Sequence, residues 1–357
     1  MRQIRLAING FGRIGRTFLR SVIYHPAFKV VAVNDPFLPI DNVVPLVKYD
    51  SVYGNFKDLL GHQKNVSAGI EMENMGSANI LCVGHEEMRF YQEKDLRKLP
   101  WDKLGVDIVV ESSGAFTTRE KLQPHLDAGA RRVVLTAPTK DESIPMVTPN
   151  VGEHLLDVSS ITSNASCTTN AVNPLVAVLK KEAFGIVRGS LDTVHSYTNG
   201  QGLVDGPGKK GDFRRGRAAA ENIIPAETGA AYAIGQIFPD LKGRLDGAAI
   251  RVPTPAGSYL ILTIQSYQKT SAQEINEVLT VASQQKEWDG ILGVTNEQLV
   301  LRDIIGDSHG SLVDLPMTTV VDGCLVKVFS WYDNEWGYCC MLLKHIESVA
   351  KLLMESK

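Results

Sequence analysis

The stretch "IRLAINGFGRIGRTFLRSV", Ile4 to Val22, decides how the chain is read. It begins as a short apolar run, breaks at Asn9-Gly10, and continues with Ile14, Phe18 and then Ile23 at helical spacing. Gly10, Gly12 and Gly15 fall in G-x-G-x-x-G order between the predicted strand and the predicted helix. That pattern alone is weak, but its context is what a dinucleotide site requires. A second strand, "FKVVAVND" (28–35), ends in Asp35, twenty residues beyond Gly15. Gly10 permits a tight turn, and Gly12 lets backbone N–H groups approach a pyrophosphate at the helix N-terminus. Gly15 lets the helix pack closely on the strand. Asp35 accepts both ribose hydroxyls and repels a 2′-phosphate, which favours NAD over NADP.

Outward from this unit, "VDIVVESSG" (106–114) and "RRVVLTAP" (131–138) read as further strands. "TTREKLQPHLDAGA" (117–130) between them reads as a helix, with Thr117 or Thr118 as cap and Gly129 as stop. Near-continuous apolar strands alternating with helices predict a parallel sheet covered on both faces. Residues 54–90 are richer in Gly, Asn and Ser and read as small strands or hairpins inserted into this domain. Beyond Ser166 the character changes. "NAVNPLVAVLKKEAF" is helical. "IVRGSLDTVHSYT", "GAAIRVPTP", "SYLILTIQSYQK" and "CLVKVFSWYDN" alternate like half-buried antiparallel strands. Between the first two lies a polar loop, 199–216, with six glycines; such long loops are usually functional or disordered. The chain closes with an amphipathic helix, "MLLKHIESVAKLLMES". The expected fold is an α/β Rossmann dinucleotide-binding domain joined to an α+β catalytic domain with a mostly antiparallel sheet. The first takes residues 1–166 and 334–357, the C-terminal helix returning to it, and the second takes 167–333, loop 199–216 included.

Composition bounds the alternatives. The 357 residues suffice for two cores, and 44% hydrophobic with 22% charged residues is ordinary for a soluble globular protein. A net charge of −3 gives no global field for nucleic acid or a membrane surface; only Lys209–Arg217 clusters basic residues. The cysteines, 82, 167, 324, 339 and 340, are odd in number, form no CxxC pair and have no zinc-like spacing with histidine. No disulfide scaffold and no metal site are expected, and a reducing compartment is the simpler reading. "MRQIRLAING" lacks the apolar region of a signal peptide, and no stretch reads as a bilayer span. A cytoplasmic location is expected.

"SNASCTTN" (163–170) sets Cys167 between two hydroxyls, Ser166 and Thr168, where a buried structural cysteine ordinarily has apolar neighbours. It is either an ordinary turn thiol or a nucleophile with donors ready for an anion. At the start of a helix the peptide dipoles favour its thiolate. Among eight histidines, His195 in "TVHSYTNGQ", at a strand end, is the most plausible partner. A lone Cys and a lone His are ordinarily a core thiol and a hydrogen-bonded strand histidine; the cofactor site and the flanking hydroxyls shift the reading toward catalysis.

The segments "INGFGRIGR", "VVAVNDPF", "YDS" (49–51), "SNASCTTN", "TVHSYT", "RAAAENIIPAETGAA", "RVPTP" and "SWYDNEWGY" occur in this order along nearly the whole chain. Together they resemble the phosphorylating, NAD-dependent glyceraldehyde-3-phosphate dehydrogenase family, and "SNASCTTN" with "SWYDNEWGY" is highly specific. The resemblance implies that Cys167 attacks an aldehyde, that His195 takes the proton and stabilises the thiolate as an imidazolium, and that a thioester is released by inorganic phosphate. It implies a cofactor site of Gly10, Phe11, Gly12, Arg13, Ile14, Gly15, Asp35, Lys94, Thr136, Asn334 and Tyr338, with Asn334 on the nicotinamide carboxamide. It implies Thr198 and Arg251 on the substrate phosphate, with Arg215 contributing. It implies Ser166, Thr168, Thr228 and Gly229 on the attacking phosphate. Loop 199–216 would reach a neighbouring subunit's cofactor, Pro207 fits the NAD-preferring pattern, and a homotetramer follows.

The chain departs from the family pattern in places. Gly200 stands where Asp or Thr is usual. "YCCML" replaces Tyr-Ser-x-Arg, Lys94 replaces a common Arg, and about a dozen extra residues lie around Leu59–Met75. An erythrose-4-phosphate dehydrogenase, releasing its acyl group to water, is the nearest rival: Thr228-Gly229 argues against it and Gly200 for it. A non-catalytic binding protein derived from the enzyme is the other, and an intact Cys167, His195, Asn334 and Arg251 argue against that.

Overall fold

The computed structural model describes residues 2–56, 69–75, 78–182, 184–208 and 212–355. By its contacts the chain divides into two compact units, one of 1–147, 154–164 and 342–357, the other of 148–153 and 165–341. The crossover to the first unit thus falls at Leu342, inside the last helix.

The first unit is built on an eight-stranded sheet. Its strands are β1 (Ile4–Asn9), β2 (Phe28–Asn34), β3 (Ile70–Met75), β4 (Ala78–Val83), β5 (Glu86–Tyr91), β6 (Ile108–Glu111), β7 (Arg132–Leu135) and β8 (Ile161–Ser163). They lie in the order β3-β4-β5-β2-β1-β6-β7-β8. The six strands from β5 to β8 are parallel, and β3–β4–β5 is an antiparallel meander at one edge. Residues 59–68 of the expected insertion lie outside the described residues; Ile70–Met75 is β3. The order reverses between β1 and β6, which opens a crevice beyond the carboxyl ends of these strands. All of β6 and nearly all of β1 and β2 are buried, because helices cover both faces. Helix α1 (Arg13–Val22) buries Phe18, Leu19 and Val22; α2 (Ile40–Lys48) buries Val43 and Val47; α3 (Arg119–Asp127) buries Leu122 and His125. Thr118 is the N-cap of α3 but makes no capping bond; Asp141 instead accepts the Arg119 N–H at 2.7 Å. Gly10 has φ of +91°, and a Cβ there would collide with the Ser113 backbone, so the turn after β1 requires glycine.

The second unit holds a mixed, mostly antiparallel sheet ordered β10-β11-β9-β12-β16-β14-β13, with β15 beside β16. Its strands are β9 (Arg188–Ser196), β10 (Ile224–Glu227), β11 (Leu245–Val252), β12 (Ser258–Gln265), β13 (Leu292–Thr295), β14 (Ser311–Asp314), β15 (Thr319–Val321) and β16 (Leu325–Tyr332). Burial alternates strictly along β12, the period-2 pattern of a strand with one covered face. Leu260, Leu262, Ile264, Val326 and Val328 pack against Val172, Leu175, Val176 and Leu179 of helix α4 (Cys167–Lys181). Helices α5 (Ala230–Ile237), α6 (Ala272–Ser283) and α7 (Trp336–Glu355) complete the elements used below.

Candidate active site

Cys167 is the first residue of α4. The helix starts there, four residues before its apolar run begins at Ala171, because Ser166 caps it: Ser166 Oγ accepts the Thr169 N–H at 3.1 Å. The preceding Ala165, fully buried, is held at φ of 53°, a left-handed conformation costly for a residue with a Cβ. Tyr338, itself buried, donates from its hydroxyl to the Ala165 carbonyl at 3.3 Å. The chain therefore turns sharply and presents the thiol at the helix N-terminus.

His195 is the last residue but one of β9, with its ring buried and its Nε2 3.5 Å from Cys167 Sγ. Parallel pairing sets Arg251 of β11 opposite His195, and antiparallel pairing sets Ser258 of β12 opposite it on the other side. Arg251 Nη1 lies 2.6 Å from His195 Nδ1 and 3.2 Å from the Ser196 carbonyl, while Nδ1 is also 2.8 Å from that carbonyl. One tautomer serves only one of these contacts: Nδ1 accepts from Arg251, or it donates to Ser196 O. Behind the pair, the buried Tyr332 hydroxyl bridges Thr168 Oγ1 at 3.0 Å and Thr193 Oγ1 at 2.8 Å.

Burial, then the positive charge of Arg251, push His195 down to about 3, although the Ser196 carbonyl opposes them. Burial raises the Cys167 thiol, opposed by Arg251, by the Thr168 hydroxyl and N–H, and by the residue's own N–H. Cys167 keeps part of its surface exposed, which moderates that rise. Burial first, and the charge of Arg251 resting on the imidazole second, oppose the expected imidazolium. Arg251 is itself lowered, first by burial and last by repulsion from Arg215, with Cys167 and Tyr332 opposing. Arg215 is held by Asp212 through a 2.7 Å ion pair. Thr198 is fixed beyond β9, its N–H donating to Gln201 Oε1 at 3.1 Å. Thr228 and Gly229 precede α5, Gly229 being its exposed N-cap.

Asn334 has a fixed orientation. Its Oδ1 accepts from Ser196 Oγ at 3.0 Å and from the Gly257 N–H at 2.8 Å, which turns its amide NH2 away as a donor. Neighbouring Asp333 accepts the Gly306, Glu335 and Trp336 N–H groups. The sequence reading passed over Ser196, Gly257, Tyr332 and Asp333; Ser196 lies inside "TVHSYT" and the last two inside "SWYDNEWGY", whereas Gly257 has no signal short of the strand register.

In the first unit, Asp35 sits beyond β2. Its Oδ2 accepts the Phe11 N–H at 2.8 Å, and its Oδ1 accepts the Phe37 and Leu38 N–H groups at 3.0 and 3.1 Å. Gly12, exposed, is the N-cap of α1, and a Cβ there would meet nothing within 4 Å: the space over the turn is open. Arg13 pairs with Asp50, and Ile14 and Gly15 continue the first turn of the helix. Lys94 is exposed, its Nζ 5.5 Å from the centroid of the exposed Phe37 ring. Thr136 Oγ1 donates to the Glu111 carbonyl at 3.0 Å. An open glycine turn at a helix N-terminus, with a fixed carboxylate at the next strand end, fits a dinucleotide. Among the described residues no cluster of His, Cys, Asp and Glu is arranged to hold a metal ion, and no helix is long and apolar enough to cross a membrane.

Two family models match the chain. "Glyceraldehyde 3-phosphate dehydrogenase, NAD binding domain" covers residues 4–119, and "Glyceraldehyde 3-phosphate dehydrogenase, C-terminal domain" covers 166–334. The chain is 44% identical over 337 residues to a glyceraldehyde-3-phosphate dehydrogenase of Geobacillus stearothermophilus, covering 94% of this chain and 95% of that protein. It is 42% identical over 347 residues to glyceraldehyde-3-phosphate dehydrogenase 1 of Kluyveromyces lactis, covering 97% of this chain and 100% of that protein. It is 41% identical over 348 residues to glyceraldehyde-3-phosphate dehydrogenase 3 of Saccharomyces cerevisiae, covering 98% and 99%. Matched along nearly its whole length, and carrying an NAD-binding domain, the chain belongs to the glyceraldehyde-3-phosphate dehydrogenase family.

Proposed function

We propose that this chain oxidises glyceraldehyde 3-phosphate to 1,3-bisphosphoglycerate with NAD and inorganic phosphate, through a thioester on Cys167. The observation that carries the reading is Cys167 Sγ 3.5 Å from His195 Nε2, with the Arg251 guanidinium on the far side of the same ring. The substrate phosphate draws Arg251, and with it Arg215 and Thr198, into charge-assisted bonds. His195 Nδ1 then donates to Ser196 O, and Nε2 is free to take the thiol proton. The thiolate adds to the aldehyde, giving a thiohemiacetal whose hydroxyl proton His195 also handles. The Cys167 N–H and His195 hold the developing oxyanion. NAD, when bound, supplies the hydride acceptor. Loss of hydride from the thiohemiacetal carbon leaves a thioester, which conserves the oxidation energy that hydration to the acid would lose. Inorganic phosphate, held by Ser166, Thr168, Thr228 and Gly229, attacks it and frees Cys167.

The cofactor assignments follow the same reading: Gly10 to Gly15 on the pyrophosphate, Asp35 on the adenosine ribose, Lys94 and Thr136 beside them, and Asn334 with its outward amide on the carboxamide. Tyr338 serves by bracing the turn before Cys167. In this reading residues 1–166 and 334–357 bind the cofactor and 167–333 carry the chemistry. The enzyme works as a cytoplasmic homotetramer, with exposed Leu203, Val204 and Phe213 of loop 199–216 covered by a neighbouring subunit; residues 209–211 of that loop lie outside the described ones. The test is NADH formation from glyceraldehyde 3-phosphate and NAD, with and without inorganic phosphate. Steady turnover only with phosphate is the expected result. Steady turnover without it makes water the acceptor and overturns the phosphorylating step.

A further inference from the structure

Five buried polar side chains beneath the dinucleotide turn form one continuous hydrogen-bonded chain. Trp101 Nε1 donates to His125 Nδ1 at 3.0 Å. An indole N–H only donates, so Nδ1 is the acceptor and the ring proton is on Nε2. Nε2 in turn donates to Glu111 Oε2 at 3.1 Å. Asn9 Nδ2 donates to the same oxygen at 2.6 Å, and Asn9 Oδ1 accepts from Asn34 Nδ2 at 2.7 Å. The other carboxylate oxygen, Oε1, accepts the Ser113 N–H at 2.8 Å and the Ser113 hydroxyl. Trp101, His125, Glu111 and Asn34 are fully buried and Asn9 is 2% exposed.

The location gives the network its meaning. Asn9, Asn34 and Glu111 are the last residues of β1, β2 and β6, the strands that flank the crevice where the sheet order reverses. Ser113 is the residue against which Gly10 is packed without room for a Cβ, and Ser112 Oγ donates to the Gly10 carbonyl at 2.7 Å. The Glu111 carboxylate therefore ties Asn9, the residue before Gly10, to Ser113, the residue packed against it. A core needing only stability would be served as well by apolar side chains, since buried polar networks are costly unless every member is satisfied. Here each of the five side chains has at least one partner within the network.

We propose that Glu111 is a positioning residue for the cofactor, and that His125, oriented by Trp101, fixes its rotamer. In E111Q the volume is kept, but an amide NH2 replaces an acceptor and faces the donors of Ser113, or those of Asn9 and His125. The turn shifts, and NAD binding weakens while the thiol site of the other unit is untouched. The inference rests on Gly10–Gly15 being the pyrophosphate turn, so the experiment tests that reading separately through G12A, whose added methyl meets no protein atom.

The measurement is NAD titration of the apo protein by calorimetry for wild type, G12A, E111Q, H125L and H125Q, alongside thermal melts and the rate of Cys167 alkylation without NAD. The expected result is a Kd raised about tenfold or more in E111Q and several-fold in H125L, with alkylation rates of folded protein unchanged. H125Q, which can accept from Trp101 and donate to Glu111, recovers most of the loss. Weak binding by G12A with wild-type Kd values in E111Q and H125L overturns the positioning role. Wild-type binding by G12A overturns the turn assignment instead. Should E111Q not fold, the H125L and H125Q pair decides: lost affinity that glutamine does not recover counts against the proposal, as lost melting temperature without lost affinity does.

Discussion

At the scale of single residues, two substitutions separate nucleophile from anchor. C167S keeps the shape of the helix start but offers a hydroxyl that stays protonated, and turnover should fall by roughly 10³-fold or more with NAD binding retained. NADH absorbance and a binding titration check both halves. R251L removes a guanidinium that is largely buried among His195, Ser196 and Arg215. A hydrogen bond to a charged group is worth about 1.5–3 kcal/mol and each 1.4 kcal/mol is about tenfold in rate. The kcat/KM for glyceraldehyde 3-phosphate should therefore drop about 10- to 100-fold, while unphosphorylated glyceraldehyde loses far less. An equal loss on both aldehydes would place Arg251 in the chemistry rather than on the phosphate. Cys167 and His195 stood out in the sequence through their residue types and polar neighbours, and Asn334 only through the resemblance carried by "SWYDNEWGY". The contact of Arg251 with His195 Nδ1, and the bonds that Ser196 and Gly257 make to Asn334, were not legible there. They depend on β9, β11 and β12 pairing in one register, and no spacing along the chain encodes which residues become cross-strand neighbours.

Among the elements, the turn after β1 and the turn after β9 make opposite demands on glycine. G10A must adopt φ of +91° with a Cβ driven into the Ser113 backbone, and should destabilise the protein by more than about 2 kcal/mol. Gly200 is not at positive φ, and a Cβ there would meet only Arg215 Nη1 at 4.0 Å. G200T should leave stability within about 0.5 kcal/mol of wild type. Denaturant unfolding of the two variants checks the contrast; a costly G200T would mean that the loop needs glycine after all. The same distinction explains which elements the sequence disclosed. β1, β2, β6 and β7 are buried on both faces and show up as apolar runs. β10, β13 and β15 are four residues or fewer, too short for any period, and were missed. Helix α6 was missed although Ser271 caps it, its side chain accepting the Glu274 N–H, because only Ile275, Leu279 and Ala282 are buried. Cys339 is buried and Cys340 packs partly buried against the second core, so "YCCML" serves as core packing.

For the whole molecule, each unit encloses a histidine that its surroundings keep neutral. His345 in the first unit lies between Thr162 Oγ1 at 2.9 Å and the Val147 carbonyl at 3.1 Å, and burial lowers it to about 4. His195 in the second unit is lowered to about 3 by burial and Arg251. Both folded values lie below the unfolded one, about 6.5. The unfolded chain therefore binds two protons that the folded chain refuses once pH falls under about 6.5. Stability is fully present above that pH and declines below it, approaching about 1.4 kcal/mol per pH unit for each histidine, until the folded groups titrate near 4 and 3. Between pH 6 and pH 5, His345 and His195 together should thus add close to two protons per chain to the slope. In H345N, which leaves Cys167 and His195 untouched, the slope should fall by about one proton. Urea midpoints across that range, at constant ionic strength and protein concentration, measure the slope directly. An H345N slope equal to that of wild type would mean that His345 is reached by water and titrates in the folded protein. The histidine contribution to acid unfolding would then come from His195, so that the residue proposed as the base would also limit the fold's resistance to acid.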